Sequence, residues 1–392
     1  MPEEQVIPPV SSDQWQRLTG DIAGSEEALV PSLSYSRDVL RRLKADRPAM
    51  LGGITVVVLI VAAFFGPLFS NHSYFDQNLS FANVPPILAY YQVEDDAFVY
   101  LHKNLKLIEV SSRGRLIRPI PMIREDGIGK KMFFQVAGRD VVIDYSKRPP
   151  ELTDGSGVPF DIYRRVWSRE YLLGTDPLGR DLFIRVLYGT RISLLVAFVA
   201  TAVNFIIGIL YGGISGYIGG KTDNLMMRIV DIISTIPLTL YVILIMVVLD
   251  SGFLSIIIAL GSVYWVNMAR IVRGQMLSLK EQEFVLAART IGSGTGKILF
   301  KHLLPNAMGV ITVTATMLIP SAIFIEAFLS FIGLGVSAPK ASLGTLSSDA
   351  LSSLRTFPYQ LFSPALAICI IMFAFNFLGD GLRDALDPKL RK

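Results

Sequence analysis

The sequence predicts an α-helical polytopic membrane protein, with six transmembrane helices and a small β-rich extracellular insertion between the first and the second. Hydrophobic residues make up 51% of the 392-residue chain and charged residues only 18%, whereas soluble domains carry nearer a quarter charged residues. Six apolar stretches are long enough to cross a bilayer as helices. A polar segment of mixed charge separates the first stretch from the other five.

The six apolar stretches lie at 50–69, 192–214, 229–249, 253–269, 308–332 and 364–380. Roughly 20 helical residues span the hydrocarbon core of a bilayer, so the apolar run from 225 to 269 is about twice as long as one membrane-spanning helix needs to be. We therefore predict a tight turn at Asp250-Ser251-Gly252, between the third and fourth helices.

The distribution of basic residues predicts the orientation of the helices. Short loops rich in Lys and Arg stay in the cytoplasm. Segments 33–49 and 270–307 and the C-terminal tail are rich in these residues, whereas the two short loops on the opposite side contain only Lys340 and Arg355. We therefore expect both termini to be cytoplasmic. Three arginines on the outer side, Arg180, Arg185 and Arg191, disagree with this pattern. We let the other loops decide the orientation, because long loops translocate largely regardless of charge.

These boundaries divide the chain into a cytoplasmic tail at 1–49, a first transmembrane helix at 50–69, an extracellular insertion at 70–171 and a membrane core at 172–392. Residues 1–32 are polar and aperiodic, which predicts disorder. Segment 34–48 is either a basic amphipathic helix on the inner membrane surface or a charged flank. In the insertion, alternating apolar residues at 131–136 and 140–145 predict strands; the alternative is a long irregular loop.

Several classes of function find no support in the sequence. The net charge of +4 lacks the clustered basic residues of a nucleic-acid-binding surface. The three histidines are not spaced as metal ligands and Cys369 is the single cysteine, so we expect no metal, cofactor or disulfide. The glycine-rich stretch 292–297 suggests a phosphate-binding loop, but Ile291 and Ile298 occupy positions where that loop needs Gly and Ser or Thr. The chain itself is therefore not expected to bind ATP.

Segment 274–307 is too polar to cross the membrane but has helical spacing on both sides of a glycine-rich break. Before the break, Phe284, Ala287, Ala288 and Ile291 are predicted to share one helix face. Two short helices with small residues at the bend form a compact feature that a partner could approach closely. Periodicity alone favours an ordinary pair of surface helices.

In the same segment, the pattern Glu283-Phe284-Val285-Leu286-Ala287-Ala288-Arg289, with Gly292 four residues after Ala288, resembles the EAA coupling loop of ABC importer permeases. Leu286 stands where the general motif has Glu, and His302 where it often has Ile; the peptide-transporting branch of the family tolerates both. The resemblance implies that this loop docks into a groove on a cytoplasmic ATPase. The residues that carry the resemblance are Glu283, Phe284, Ala287, Ala288, Arg289 and Gly292, followed by Leu304-Pro305-Asn306.

A second stretch, at 173–194, is similar to the signature that precedes the second helix in the C-type permeases of dipeptide and oligopeptide ABC importers. Glycines among Asp and Arg residues predict a bent, hydrogen-bonded lip where the chain enters the membrane. The resemblance assigns this outer lip or gate to Gly174, Thr175, Asp176, Gly179, Arg180 and Asp181. It covers about 172–390 closely and 40–86 loosely, and it leaves 87–170 unassigned.

The resemblance implies a non-catalytic subunit of a bacterial cell membrane transporter that forms half of a translocation pathway. Its partners would be a homologous B-type permease, two cytoplasmic ATP-binding subunits, an extracellular peptide-binding protein, the lipid bilayer and a peptide substrate, with no nucleic acid. One alternative is a self-sufficient secondary transporter, which would usually show an internal repeat. Others are an ABC importer of nickel chelates or peptide antibiotics, and a membrane-anchored enzyme or receptor.

Polar residues inside predicted transmembrane helices are costly and are candidates for function. Glu326 is expected either to line the substrate pathway or to bridge to the partner subunit. Asp231 is expected to pair with Arg228 at the membrane edge, and Asn267 to form a hydrogen bond between helices. We therefore treat Glu326, Asp231 and Asn267 as candidates for the pathway or the subunit interface.

Overall fold

The computed structural model describes residues 35–250, 252–336 and 339–386. Within them a bundle of long helices carries a two-sheet insertion at one end. The expectations for the N-terminal tail before residue 35, for Ser251 at the predicted turn and for the basic residues after 386 lie outside the described residues.

The chain enters the bundle through two consecutive helices, α1 (Tyr35–Ala45) and α2 (Arg47–Phe65). Asp46 separates them and caps α2, because its side chain accepts a hydrogen bond from the backbone N–H of Ala49 at 3.2 Å. A 3₁₀ turn, Gly66–Phe69, extends α2. The sequence left two interpretations of segment 34–48, a helix or a charged flank. The structure has a helix there.

The second long helix, α3 (Leu182–Ile218), has 37 residues and begins ten residues before the predicted stretch 192–214. The side chain of Asp181 caps its N-terminus by accepting from the N–H groups of Phe183 and Ile184. At about 1.5 Å per residue, α3 is roughly 55 Å long and extends beyond the hydrocarbon core. The sequence suggested that Arg185 and Arg191 precede the second helix. Both in fact lie within α3.

The third predicted helix, 229–249, is interrupted. Helices α4 (Gly220–Thr235) and α5 (Leu238–Leu249) meet at an angle of 82°. Pro237 lies at the break, where its missing N–H cannot continue a helical hydrogen-bond ladder. Five continuous helices of the described residues are long and apolar enough to span a membrane, and a sixth span exists only if α4 and α5 together form one. The predicted stretch 229–249 is therefore divided between two helices that meet at a bend.

The rest of the bundle follows in chain order. Helices α6 (Phe253–Val263) and α7 (Trp265–Leu279) form the fourth apolar unit. Beyond it lie α8 (Glu283–Thr290), the short α9 (Thr295–Lys297) and a π-helical segment, Ile298–Leu303, which leads into α10 (Leu304–Leu329). A second π-helical turn (Ser330–Leu334), α11 (Leu343–Asp349), a 3₁₀ turn (Ala350–Ser353) and α12 (Tyr359–Leu386) complete it.

The insertion consists of two antiparallel sheets, so the alternative of an irregular loop is wrong. The predicted strands at 131–136 and 140–145 are present and pair with each other. One sheet has the order β4-β3-β2-β1-β9 and the other β5-β6-β7-β8. The strands are β1 (Ile87–Glu94), β2 (Ala97–Leu101), β3 (Leu107–Val110), β4 (Leu116–Ile120), β5 (Arg124–Asp126), β6 (Lys131–Val136), β7 (Arg139–Asp144), β8 (Glu151–Asp154) and β9 (Ile162–Trp167).

Helices α3 and α7 pack in parallel and unusually closely. Gly208, Gly212 and Gly216 of α3 face Met268, Ala269 and Arg273 of α7 in the same order along the two helices. Glycines at this spacing let two helix backbones approach each other. Because α7 runs parallel to α3, it ends far from the insertion, and α8 lies at that end of the bundle. The start of α2 lies beside the end of α12, since Ala49 contacts Gly381 there.

We predict that Gly212→Ala destabilises the bundle, because a Cβ at this position would lie 2.3 Å from the backbone oxygen of Ala269. Overpacking of this kind costs about 1–3 kcal/mol. The control is Gly213→Ala, where a Cβ would make only ordinary contacts at 3.6 Å with Leu299. Thermal unfolding of the purified protein measures both. Equal melting temperatures for the two variants would show that α3 and α7 are not in close contact.

Candidate functional site

A buried ionic cluster lies where the insertion meets the bundle. The Oδ2 of Asp176 accepts a hydrogen bond from Nε of Arg180 at 2.6 Å and also contacts the guanidinium of Arg185. Its Oδ1 accepts from the N–H groups of Leu178 and Arg180, at 2.8 and 3.0 Å. All three charged residues are at most 9% exposed. Buried charges persist only when they are paired and hydrogen-bonded, so this cluster fixes the local chain path.

Thr175 connects three segments around this cluster. Its hydroxyl donates to the carbonyl of Phe81 at 2.5 Å and accepts from the N–H of Val84 at 2.8 Å. Its carbonyl oxygen accepts from the hydroxyl of Tyr359 at 2.9 Å and from the Nε2 of Gln360 at 3.0 Å. The segment before β1, the turn before α3 and the start of α12 are therefore tied to one buried residue.

The two glycines of the predicted lip are required by the same turn. Gly174 and Gly179 have φ angles of 80° and 71°, a region that residues with a side chain rarely adopt. A Cβ at Gly174 would lie 2.4 Å from the carbonyl oxygen of Val84, and one at Gly179 would overlap Asn78. Asp181, which caps α3, completes the turn. Burial raises the pKa of its carboxyl, whereas the two N–H groups that donate to it act to lower that pKa.

The structure thus brings together all six residues predicted for the lip. We call these six residues, together with the side chains that contact them, such as Gln360 at Thr175, the junction. Sequence reasoning missed Tyr359 and Gln360, which reach the junction from α12 across more than 180 residues of sequence. The signal was a Tyr-Gln pair at the polar start of an apolar helix. Such side chains are expected to find hydrogen-bond partners at a membrane boundary.

The insertion is held to the junction by a second set of contacts. The Nζ of Lys103 donates to the carbonyl of Thr356 at 2.8 Å, and the ring of His102 stacks on Phe357 at 5.7 Å between centroids. Burial lowers the pKa of His102, whose Nδ1 accepts from the N–H of Asn104. A neutral ring then carries its proton on Nε2 and donates it to the carbonyl of Asn83, 2.8 Å away. The first sheet is therefore docked on the loop before α12.

We predict that Asp176→Asn lowers the free energy of unfolding by about 3–5 kcal/mol, because it leaves the buried guanidinium of Arg180 without a counter-charge and that of Arg185 with only the more distant Asp349, at 3.8 Å. The control is Glu94→Gln, which removes a surface ion pair with Arg139 and is expected to cost less than about 1 kcal/mol. Chemical denaturation of the purified protein compares them. Similar losses in both variants would show that the Asp176 cluster does not hold the junction.

At the opposite end of the bundle, α8 has one buried and one exposed face. Val285 and Ala288 are at most 4% exposed and pack with Met276 and Leu299 in one apolar cluster. Of the four residues predicted to share a face, Ala288 is therefore buried, whereas Phe284, Ala287 and Ile291 are exposed. The remaining predicted coupling residues are exposed: Glu283, Phe284, Ala287, Arg289 and Gly292.

Gly292 ends α8 with a left-handed φ of 78°. Its N–H donates to the carbonyl of Arg289, and the N–H of Ser293 donates to that of Ala288, at 2.9 and 3.0 Å. This pair of bonds is the Schellman arrangement that glycine favours after a helix. Arg289 lies over the ring of Tyr217, 5.7 Å from its centre, and so contacts the end of α3.

Glu326 is fully buried inside this one chain. Its carboxylate accepts from the hydroxyls of Ser193 on α3 and Ser330 after α10, at 2.7 and 2.8 Å. Ser342, which caps α11, donates to the hydroxyl of Ser330 at 3.1 Å. Glu326 therefore lies inside the bundle of this chain, where it connects α3, α10 and α11.

We predict that Glu326→Leu destabilises the protein by at least about 2 kcal/mol, because it leaves buried serine hydroxyls without an acceptor. Glu326→Gln retains an amide that the same hydroxyls can bond, so it should lose much less. Thermal unfolding of both variants is the measurement. Equal stability of the Leu and Gln variants would contradict a structural role for the carboxylate.

The other two candidates for an interface lie on exposed surfaces. Asp231 pairs with Arg270 of α7 at 2.9 Å and not with Arg228, because α4 packs beside α7. Asn267 is exposed and has no side-chain hydrogen bond within the described part of the chain. Sequence reasoning missed a stronger pair nearby: Arg273 binds Asp223 through two bonds of 2.6 Å and so joins α7 to α4.

Two family models match this chain. Residues 173–392 match the family model of the binding-protein-dependent transport system inner membrane component, and residues 34–86 match that of the N-terminal TM domain of oligopeptide transport permease C. Among solved structures, 52% of the chain aligns with 96% of a chain of the inward-facing MetNI methionine ABC transporter, at 20% identity and a TM-score of 0.44.

Two curated relatives from Bacillus subtilis match over most of their length. The oligopeptide transport system permease protein OppC is 39% identical over 98% of this chain and 99% of its own. The dipeptide transport system permease protein DppC is 39% identical over 92% of this chain and 88% of its own. OppC of Haemophilus influenzae is 48% identical over 56% of this chain and 71% of its own. The chain therefore belongs to the inner membrane components of binding-protein-dependent transport systems.

Proposed function

We propose that this chain is the C-type permease subunit of an ATP-driven ABC importer for peptides and that it forms half of the translocation pathway. Its full-length relatives are named as oligopeptide and dipeptide permeases, which supports the peptide class of substrate. The observation that carries the proposal is the exposed apolar face of α8, at the end of the bundle opposite the insertion. Such a face on a cytosolic helix requires a protein partner.

The exposed face has the composition of a docking surface. Phe284, Leu286 and Ile291 are 40%, 47% and 82% exposed, and Phe300 of the π-helical segment is 57% exposed. Arg289, Lys297 and Lys301 are exposed around them and Glu283 adds a negative charge. An apolar centre with a charged rim is typical of protein interfaces. We propose that a groove on each cytoplasmic ATP-binding subunit accepts this surface, which we call the coupling surface.

The coupling surface is in contact with helices of the bundle, so its movement would be transmitted to them. Val285 and Ala288 pack against the π-helical segment that leads into α10, and Arg289 contacts Tyr217 of α3. The Asp223–Arg273 pair fixes α4 to α7, which precedes α8. Closure of the ATPases would therefore displace α3, α7 and α10 together, since packed helices transmit a displacement at their ends.

The remaining partners follow from the same proposal. A homologous B-type permease would supply the other half of the pathway, and the exposed Asn267 and Asp231 are candidates for that interface. An extracellular binding protein would deliver peptide to the junction, where the insertion either contacts it or covers the pathway. Both termini and the coupling surface are then cytoplasmic, as their basic residues also indicate.

We predict that Phe284→Glu and Ile291→Glu each reduce co-purification of the ATP-binding subunits by about tenfold or more, because a charge replaces an apolar anchor in a desolvated interface. Peptide uptake should fall in parallel. Quantification of the ATPase subunits retained on an affinity-tagged permease gives the first value, and uptake of labelled peptide into cells gives the second.

The control variant is Ile128→Glu, which adds the same charge at a residue that is 98% exposed on the insertion. It should leave ATPase retention unchanged. Normal retention and normal uptake in both α8 variants would refute the coupling surface. Uptake that persists without ATP would favour a secondary transporter, and uptake restricted to nickel chelates or peptide antibiotics would replace the substrate class.

A further inference from the structure

The contact between the insertion and the loop before α12 contains a buried histidine. His102 is 1% exposed and begins the turn between β2 and β3, residues 102–106, which we call the docking turn. Its ring stacks on that of Phe357, which is itself buried. The next residue, Lys103, donates from Nζ to the carbonyl of Thr356 at 2.8 Å and lies 5.8 Å from the centre of the Phe357 ring. These contacts attach the docking turn to the loop.

Both ring nitrogens of His102 have partners that require the neutral ring. Its Nδ1 accepts from the N–H of Asn104 at 3.0 Å, and its Nε2 donates to the carbonyl of Asn83 at 2.8 Å. A backbone N–H can only donate and a carbonyl can only accept, so one proton on Nε2 satisfies both. Leu105, which bonds the carbonyl of His102, has a left-handed φ of 60°. The docking turn therefore depends on hydrogen bonds to hold a conformation that leucine rarely adopts.

A second proton on His102 would conflict with these contacts. It would place the N–H of Nδ1 against the N–H of Asn104, so two donors would face each other without an acceptor. Burial lowers the pKa of His102 from its ordinary value of 6.5, and Lys106 and Lys103 lower it further. The bond to Asn83 acts in the opposite direction. Geometry and charge therefore both disfavour the protonated ring while the turn is docked.

The other titratable groups around His102 are two tyrosines and an arginine. The ring of Tyr100 lies edge-on at 6.1 Å, and Tyr359 lies beside Phe357 at 6.3 Å, both between ring centroids. Phenols titrate near about pH 10, so both stay uncharged at neutral and acidic pH. Arg355 of the facing loop is exposed and positively charged. A protonated His102 would thus lie among cations and neutral rings, which do not stabilise it.

We propose that the docking turn is an acid-sensitive contact, in which protonation of His102 releases the first sheet of the insertion from the loop before α12. The charged ring loses the bond from Asn104, the turn opens, and Lys103 moves away from Thr356 and Phe357. An undocked His102 titrates near its ordinary value of 6.5, and a docked one at lower pH. The docking free energy is therefore fully present above that value and falls as the pH decreases through it.

The docking turn is linked to the junction through one residue. The carbonyl of Asn83 accepts from His102, and its N–H donates to the carbonyl of Asp176 at 3.0 Å. Its Oδ1 accepts from the Nε2 of Gln360 at 2.8 Å. Opening of the turn therefore alters the contacts of a residue that also holds the start of α12. With the insertion outside the cell, as in the proposed function, His102 responds to external pH; the release itself does not depend on that function.

Hydrogen–deuterium exchange of the purified full-length protein, measured at about pH 7.5 and about pH 5, tests the proposal. After correction for the intrinsic effect of pH, amides of the docking turn and of segment 353–358 should exchange at least about threefold faster at the lower pH. Strand β7 of the second sheet should show no such change. His102→Gln retains a donor for Asn83 but does not titrate, so its corrected exchange should be the same at both pH values.

The matched control is His72→Gln, which removes the other histidine on the insertion side of the bundle. The ring of His72 stacks on Tyr171, outside the docking turn, so this variant should retain the response of wild type. Melting temperatures verify that both variants are folded. Equal corrected exchange at the two pH values in wild type would overturn the proposal. So would an acid response that persists in His102→Gln or disappears in His72→Gln. The measurement needs neither ATP nor peptide, so its outcome is independent of the proposed function.

Discussion

The buried carboxylate of Asp176 is the constraint on which the architecture depends. It pairs with Arg180 in the turn before α3 and contacts Arg185 inside α3, and both arginines are buried. Isolated buried charges are strongly destabilising, so the turn before α3 can adopt only a path that keeps these groups together. That path directs Thr175 toward the start of α12 and toward the segment before β1. The insertion and the bundle therefore share one anchoring point.

Helix α3 connects the Asp176 cluster to the opposite end of the bundle. Asp181 caps its start, Ser193 in its first half bonds Glu326, and three glycines near its end contact α7. Beyond them, Tyr217 lies under Arg289 of α8. The helix thus contacts the junction at one end and the proposed coupling surface at the other. A rigid element with fixed contacts at both ends is a physical means by which a displacement on one side of a membrane reaches the other.

Local sequence patterns predicted much of this arrangement, and long-range packing explains where they did not. Composition and hydropathy identified the apolar helices, and alternation identified strands β6 and β7. Hydropathy could not reveal the bend at Pro237, because a broken helix and a straight one have the same apolar content. Periodicity grouped Ala288 with Phe284, Ala287 and Ile291, but which of these residues are buried depends on the neighbours of this short helix. Arg270, the partner of Asp231, and Ser193, one partner of Glu326, come from other helices and leave no local signal.

Site-specific cross-linking tests most directly the claim that α8 connects this chain to its ATPase subunits. Cys369 is the single cysteine of the chain, so a Cys369→Ser background allows one thiol to be placed at a time. The account predicts that a photo-reactive probe on Ile291→Cys cross-links to an ATP-binding subunit in the assembled transporter, whereas the same probe on Ile128→Cys does not. Absence of that cross-link in an assembled, ATP-hydrolysing complex would contradict it.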